Sequence, residues 1–469
     1  MKKSILLLAA KLLLVMFCLL PTFSFAQFTK LHDFIGNPDG SQPDGSLISD
    51  GNFLYGMTIY GGTNEKGVIF KIKSDGSGYS KLHDFGSGTD GADPANGSLI
   101  FDGTFLYGMT IGGGTNSFGT IFKIKPDGTG YTDLYDFNGI GSSPIGSLIS
   151  DGIFLYGMTS QGGIIDCNND GGIIFKIKLD GTGFSKLYDF NCANGNLPGG
   201  SLYSDGTFLY GKTQFGGSNN FGTIFKIKSD GTQYSVLHNF TGGISDGKEQ
   251  GGGGSLISDG SFLYGMTYGG GANNGGIIFK IKLDGTGYLK LFDFTATSGA
   301  EPHGSLIFDG TFLYGLTTAG GNIGGVIFKM KTDGTGYSKL FNFGNGNGDF
   351  PYGSLYSDST FFYGMTSSGG TNTLGTIFKL DITTAGIAKK NEINSFNIFP
   401  NPSNGTFTIA TKENDYFLNI TDVRGLQVYQ SAFKNQKQEI DLSKQPNGIY
   451  FLNIQTEKGT TVQKLIINR

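Results

Sequence analysis

Residues 45–85 read GSLISDGNFLYGMTIYGGTNEKGVIFKIKSDGSGYSKLHDF, and this stretch decides the fold. It divides into four short segments, GSLIS, FLYGMT, IFKIK and YSKLHDF, rich in aromatic and β-branched residues and parted by glycine and aspartate. Such segments read as strands. Asp50 and Gly51 make a tight turn between the first and second, and Asp75 to Gly78 turn the third into the fourth. These residue types suit turns because they tolerate positive φ or cap the turn with a side chain. No stretch of the chain carries helical periodicity.

The unit recurs. Gly-Ser-Leu begins at Gly45, Gly97, Gly146, Gly200, Gly254, Gly304 and Gly353, at spacings of 52, 49, 54, 54, 50 and 49 residues. A period near 50 is the mark of a propeller or a similar array. Four antiparallel strands in each of seven units predict an all-β chain folded as a seven-bladed β-propeller over residues 27–382. The seventh unit lacks its fourth strand, and residues 28–34 (FTKLHDF) are a spare one. Docking of that strand beside the last unit would close the ring and satisfy an otherwise bare edge. Tyr55 and Phe70, each repeated in all seven units, are expected to fill the layers between blades.

Composition narrows the function. Glycine supplies 81 of 469 residues without a third-residue period, so the chain is not collagen. Lys2 and Lys3, an apolar run to Leu20 and Ser24-Phe25-Ala26 make residues 1–26 a signal peptide, with cleavage before Gln27. Between Gln27 and Ala388 there are 21 lysines, no arginine and 31 acidic residues. That balance excludes nucleic acid as a partner. No segment of the mature chain can cross a bilayer as a helix, and a monomer is expected.

After Ala388 the period stops and glycine falls. Residues 383–394 read as a linker. Residues 395–469 alternate apolar and polar positions between short turns, which predicts a small antiparallel β-sandwich.

The repeat pattern GSLxxDGxFLYGMT…GG…GxIFKIKxDGTGYSKL…F resembles the GloVer extracellular tandem repeat, a propeller family of secreted bacterial proteins. It is also kelch-like in the Gly61-Gly62 pair after the second strand, although Tyr79 stands where kelch has tryptophan. The C-terminal segment resembles the type A sorting domain of the Bacteroidetes type IX secretion system. Phe399 to Pro402 (FPNP), Asp422 to Gly425 (DVRG), Gly448 to Phe451 (GIYF) and Lys464 to Ile467 (KLII) carry that resemblance. It implies export to the cell surface or beyond, the outer-membrane secretion machinery as a partner, and Pro400, Asn401, Pro402, Gly425, Gly448 and Lys464 as the sorting motif.

Chemistry is sparsely signalled. Cys167 and Cys192 are the cysteines left after signal cleavage, and in an oxidising space they are expected to pair. Asp166, Asn168 and Asp170 imitate the start of a calcium loop without its closing glutamate, so calcium is the single cofactor considered. His32, His83 and His238 share one strand slot with aromatic residues and read as structural, and His303 stands alone in a loop. The lysines aligned with Lys71 and the aspartates aligned with Asp33 read as solvated or snorkelling rings. Positions that break the repeat are better site candidates: Lys212, which replaces a recurrent methionine, and Tyr60, Phe215, Tyr268, Phe350 and Tyr352 on loops that crowd one face. They point to a glycan- or protein-binding module. The alternative is a polysaccharide-active enzyme using loop carboxylates such as Asp93, Asp246 and Asp349, the propeller's glutamates being few, at Glu65, Glu249 and Glu301.

Overall fold

The computed structural model describes residues 27–382 and 396–467, apart from 87, 95–96, 164, 167–168, 252, 345, 402, 412–413, 423–426, 447 and 457–458. The expected signal peptide and linker lie outside them. Every element among the described residues is a strand.

The first unit forms a four-stranded antiparallel sheet of β2 (Ile48–Ser49), β3 (Leu54–Thr58), β4 (Val68–Ile72) and β5 (Ser80–Asp84), in that order. Six further sheets of the same order follow from the repeats. The last is built from Tyr356–Ser357, Phe361–Thr366 and Thr376–Asp381, and β1 (Phe28–Asp33) is its outer strand. The pairing runs from Phe28 opposite Leu380 to Asp33 opposite Thr376. In each sheet the register between the third and fourth strands shifts at the conserved phenylalanine position, as between Ile69 and Phe70. Such a bulge strengthens local twist.

Three periodic contacts explain why this repeat makes blades. First, Phe70 lies across Gly56 of the neighbouring strand, where an added Cβ would sit 2.6 Å from the ring Cζ, so the glycine of FLYGMT is required by close approach. Second, each Asp-Gly turn is clamped by its own sheet. Asp50 Oδ1 accepts the N–H groups of Asn52 and Phe53 at 2.8 Å, and Asp50 Oδ2 accepts the Tyr55 hydroxyl at 2.7 Å. Third, aromatic layers join neighbours. Tyr55, Met57, Ile69 and Phe85 of one unit pack with Leu99, Leu106 and Phe122 of the next. At the rim, the fourth-strand aromatics of successive units stack, as His32 on Tyr79 at 4.0 Å, and Phe341 on Phe28 completes the series. Each such pair adds about 0.5–1.5 kcal/mol beyond area burial.

The polar rings are more engaged than solvated. Lys71 Nζ lies 5.0 Å from the Phe53 ring centroid and donates to the Pro126 carbonyl of the next unit at 3.1 Å. Asp84 accepts the Thr63 N–H at 3.0 Å and so holds the Gly-Gly loop after β3.

The C-terminal unit consists of a three-stranded sheet (Asn397–Phe399, Thr406–Ala410, Lys437–Asp441) and a four-stranded one (Gln427–Phe433, Tyr416–Asp422, Gly448–Thr456, Gly459–Ile467). Phe407, Ile409 and Ile440 from the first share a core with Leu418, Ile420, Leu452, Ile454 and Leu465 from the second. The period-2 alternation of the sequence faces these residues inward, which makes the sandwich.

Candidate functional site

The units meet on the propeller axis through the serine of each Gly-Ser-Leu, at or just before the first strand. The Ser46 N–H donates to Ser98 Oγ at 2.8 Å, Ser98 to Ser147 at 2.9 Å, and Ser147 to Ser201 at 2.7 Å. Ser201 donates to Ser255 at 2.7 Å, Ser255 to Ser305 and Ser305 to Ser354 at 2.8 Å, and Ser354 back to Ser46 at 2.7 Å. This closed circuit of seven bonds runs in one rotational sense. Glycine precedes each serine because the neighbouring backbone is in contact there: a Cβ on Gly45 would lie 2.0 Å from the Gly97 carbonyl oxygen.

The serines line an axial cavity of about 80 Å³, together with Asp44, His303 and Tyr352. These three residues occupy the same repeat position, directly before Gly-Ser-Leu, in three successive units around the ring. The four other equivalent positions in the sequence, Asn96, Ile145, Gly199 and Gly253, carry no charge or ring. His303 bridges Tyr268 and Tyr352 edge-to-face, with centroids at 5.0 and 4.7 Å. Burial holds the His303 imidazole down at about 4, so it is neutral at physiological pH. Burial raises the Tyr268 hydroxyl, and the charge and hydrogen bond of Glu301 raise it further. Tyr352 is raised by burial and by the charges of Asp44 and Glu301. The mouth is thus a one-sided arc of three rings flanked by two carboxylates.

The expected site residues divide. Tyr268 and Tyr352 belong to this arc. Tyr60 and Phe350 are 45% and 40% exposed on the paired loops of the same units, where Ser41 bridges Tyr60 and Asp349 bridges Ser368. Phe215 is half-buried at the end of its strand.

Lys212 is held in a buried ion pair within its strand and is not exposed on a loop. It is 3% exposed, and its Nζ bonds Glu249 Oε1 and the Met266 carbonyl, each at 2.7 Å. Glu249, 1% exposed, occupies the place taken elsewhere by a proline. A Cβ on Gly222 would meet Glu249 Cβ, as one on Gly67 would meet Pro94 Cδ. Lysine for methionine and glutamate for proline are one exchange, made at two positions that touch. The helpful signal was the break in the proline series Pro43, Pro94, Pro144, Pro198, Pro302 and Pro351.

Two of the other loop carboxylates, Asp246 and Asp93, have partners within the protein. Asp246 accepts from His238 at 3.0 Å and from the Thr241 N–H at 2.9 Å, and Asp93 faces Lys66 at 3.8 Å. His32 and His83 pair likewise with Asp39 and Asp90. Cys167 and Asn168 lie outside the described residues. Asp166 and Asp170 belong to a short hairpin, in which they pair with Asn169 and Ile165. Among the described residues no group of three histidine, cysteine, aspartate or glutamate side chains is placed to hold a metal. Of the sorting motif, Pro402 and Gly425 lie outside the described residues. Pro400 and Asn401 follow the strand Asn397–Phe399, Gly448 opens the strand Gly448–Thr456, and Lys464 pairs in register with Phe451.

Fold and axial site define a β-propeller of tandem units with an attached sandwich. The Gloeobacter/Verrucomicrobia repeat model matches residues 19–166, 86–262 and 204–426, and the chain belongs to that family. The secretion-system C-terminal sorting domain matches residues 397–468, so this is a secreted, cell-surface protein whose C-terminal unit engages the type IX machinery. No curated protein matches the sequence.

Solved structures with some likeness include PorZ, an essential bacterial surface component of the type IX secretion system of Porphyromonas gingivalis (14% identity, TM-score 0.46). That match covers 93% of this chain and 61% of PorZ, so the chain spans about three fifths of its length. Others are an oligogalacturonate lyase in complex with manganese (12%, 0.49, covering 76% and 93%) and a putative TolB from Agrobacterium tumefaciens (12%, 0.36, covering 64% and 93%). No helix among the described residues is long and apolar enough to cross a membrane.

Proposed function

We propose that this surface propeller is a non-catalytic binding module that takes a glycan at the mouth of its axial cavity. One observation carries the reading: the Tyr268–His303–Tyr352 arc, with Asp44 and Glu301 beside it, breaks the sevenfold repetition at the cavity. Aromatic faces stack on sugar rings, while carboxylates and hydroxyls bond their substituents. Purified full-length protein applied to a glycan array and to insoluble polysaccharides should retain a subset of them. Tyr352→Ala should weaken retention roughly tenfold, as loss of a central aromatic contact does. Absence of any glycan binding, or full binding by the Tyr352 variant, would sink the reading. The rival reading, polysaccharide cleavage, predicts soluble oligosaccharides released from a retained polymer. The internal partners of Asp246 and Glu249 weigh against it.

We further propose that Cys167 and Cys192 form a disulfide, which peptide mapping under non-reducing conditions tests directly.

A further inference from the structure

We infer that the axial cavity is a binding site for a single primary ammonium group, presented by the ligand that the arc above it holds. The inference rests on the glycan-binding reading and names the chemistry that the site selects.

Size comes first. A cavity of about 150 Å³ takes a benzene ring, so one of about 80 Å³ admits a small head group and leaves a sugar ring outside. Charge comes second. No lysine or arginine is among the described lining residues, and Asp44 brings the cavity a carboxylate. His303 is neutral at physiological pH, and Glu301, whose charge acts on Tyr268 and Tyr352, adds a second negative charge beside the arc. An anion would be repelled, and a neutral hydroxymethyl group could give one carboxylate a single hydrogen bond but no opposite charge. A cation gains from both, because an ionised partner makes the stronger hydrogen bond.

Donor and acceptor geometry comes third. Each lining serine oxygen already accepts one backbone N–H from its neighbour, and a hydroxyl has two acceptor lone pairs. An ammonium group has three donors and no acceptor, so it suits a ring of oxygens beside a carboxylate. The rings of Tyr352 and Tyr268 add cation–π attraction at the entrance. The axial cavity is thereby a specificity pocket, and the arc is the platform above it.

An amino sugar and a lysine side chain both supply this group, and titration separates them. Full-length protein is titrated with glucosamine, N-acetylglucosamine and Nα-acetyl-lysine amide, followed by calorimetry. At least one of the two amines should bind roughly tenfold tighter than N-acetylglucosamine, in which the nitrogen is uncharged. The tighter of the two identifies the carrier. Asp44→Asn should erase the preference, and Glu301→Gln, at a residue that does not line the cavity, should reduce it. Equal binding of all three, or a preference that survives Asp44→Asn in a folded variant, overturns the inference. Capture of a polymeric glycan without any amine preference would overturn the ammonium site and leave glycan binding standing. An amine preference without glycan capture would do the reverse.

Discussion

Ser354 donates its backbone N–H to Ser46 Oγ at 2.7 Å, a bond between residues 308 positions apart. It is chemically the same bond that joins every other neighbouring pair of units, so the serine circuit closes with no special joint. Replacing Ser46 by alanine should leave the Ser354 N–H without its acceptor and destabilise the protein by about 1–3 kcal/mol. Ser147→Ala should cost about the same, although it lies far from the chain ends. Denaturant titration of the two variants compares them. A much larger effect at Ser46 would show that closure is more fragile than the rest of the ring.

Removal of residues 28–34 takes away β1, its pairing with Thr376–Asp381 and the Phe28–Phe341 stack at 4.1 Å. The truncated protein should lose several kcal/mol and expose an edge prone to association. A synthetic peptide of sequence QFTKLHDFI, added in trans, should restore the melting temperature in a concentration-dependent way. Size-exclusion chromatography and thermal melts read both effects.

Lys212 and Glu249 are worth little as a pair and much as singles. Lys212→Met leaves the Glu249 carboxylate buried without its cation and should cost about 3–5 kcal/mol at pH 7. Lys212→Met with Glu249→Gln should recover most of that. Burial already pushes the Glu249 carboxyl up, against the opposing pull of Lys212. A raised pKa in the folded state means that the folded form takes up the proton more readily. The single Lys212→Met variant should therefore regain stability as pH falls from 7 toward 5. Melting temperature against pH tests this.

Asp246 gives the opposite sign. Burial works against its ionisation, but hydrogen bonds from His238, Tyr288 and Thr241 prevail and hold it at about 2, below the ordinary 3.8. Its stabilisation is present above pH 3.8 and is lost as pH falls from there toward 2. Asp246→Asn should cost about 1–3 kcal/mol at pH 7 and progressively less below pH 3.8. Parallel acid titrations of wild type and variant, followed by circular dichroism, should converge.

The period near 50 made the sheets, their strand order and the role of residues 28–34 readable, because one four-strand unit cannot bury its own faces and neighbours must. Tyr55 and Phe70 were legible as layer residues for the same reason. Ser46 was not, since Gly-Ser-Leu served only to mark the repeat. A small polar residue kept at the head of all seven units was the available sign of an axial ring. Lys212 stood out as an exception, but its partner lies 37 residues on, and a single exception does not reveal whether it faces solvent or another exception. His303 looked solitary because its neighbours Tyr268 and Tyr352 sit 35 and 49 residues away in sequence, in adjoining units.

The edge that receives β1 is selective for sequence, not for the molecule that offers it. Near-identical fourth strands, such as residues 79–85, exist in the other units, and every copy of the chain carries its own 28–34 segment. At high local density, as on a crowded cell surface, reciprocal strand exchange would link two molecules without any new contact type. The short tether between β1 and β2 keeps the intramolecular partner at the higher effective concentration, and so guards against that misassembly.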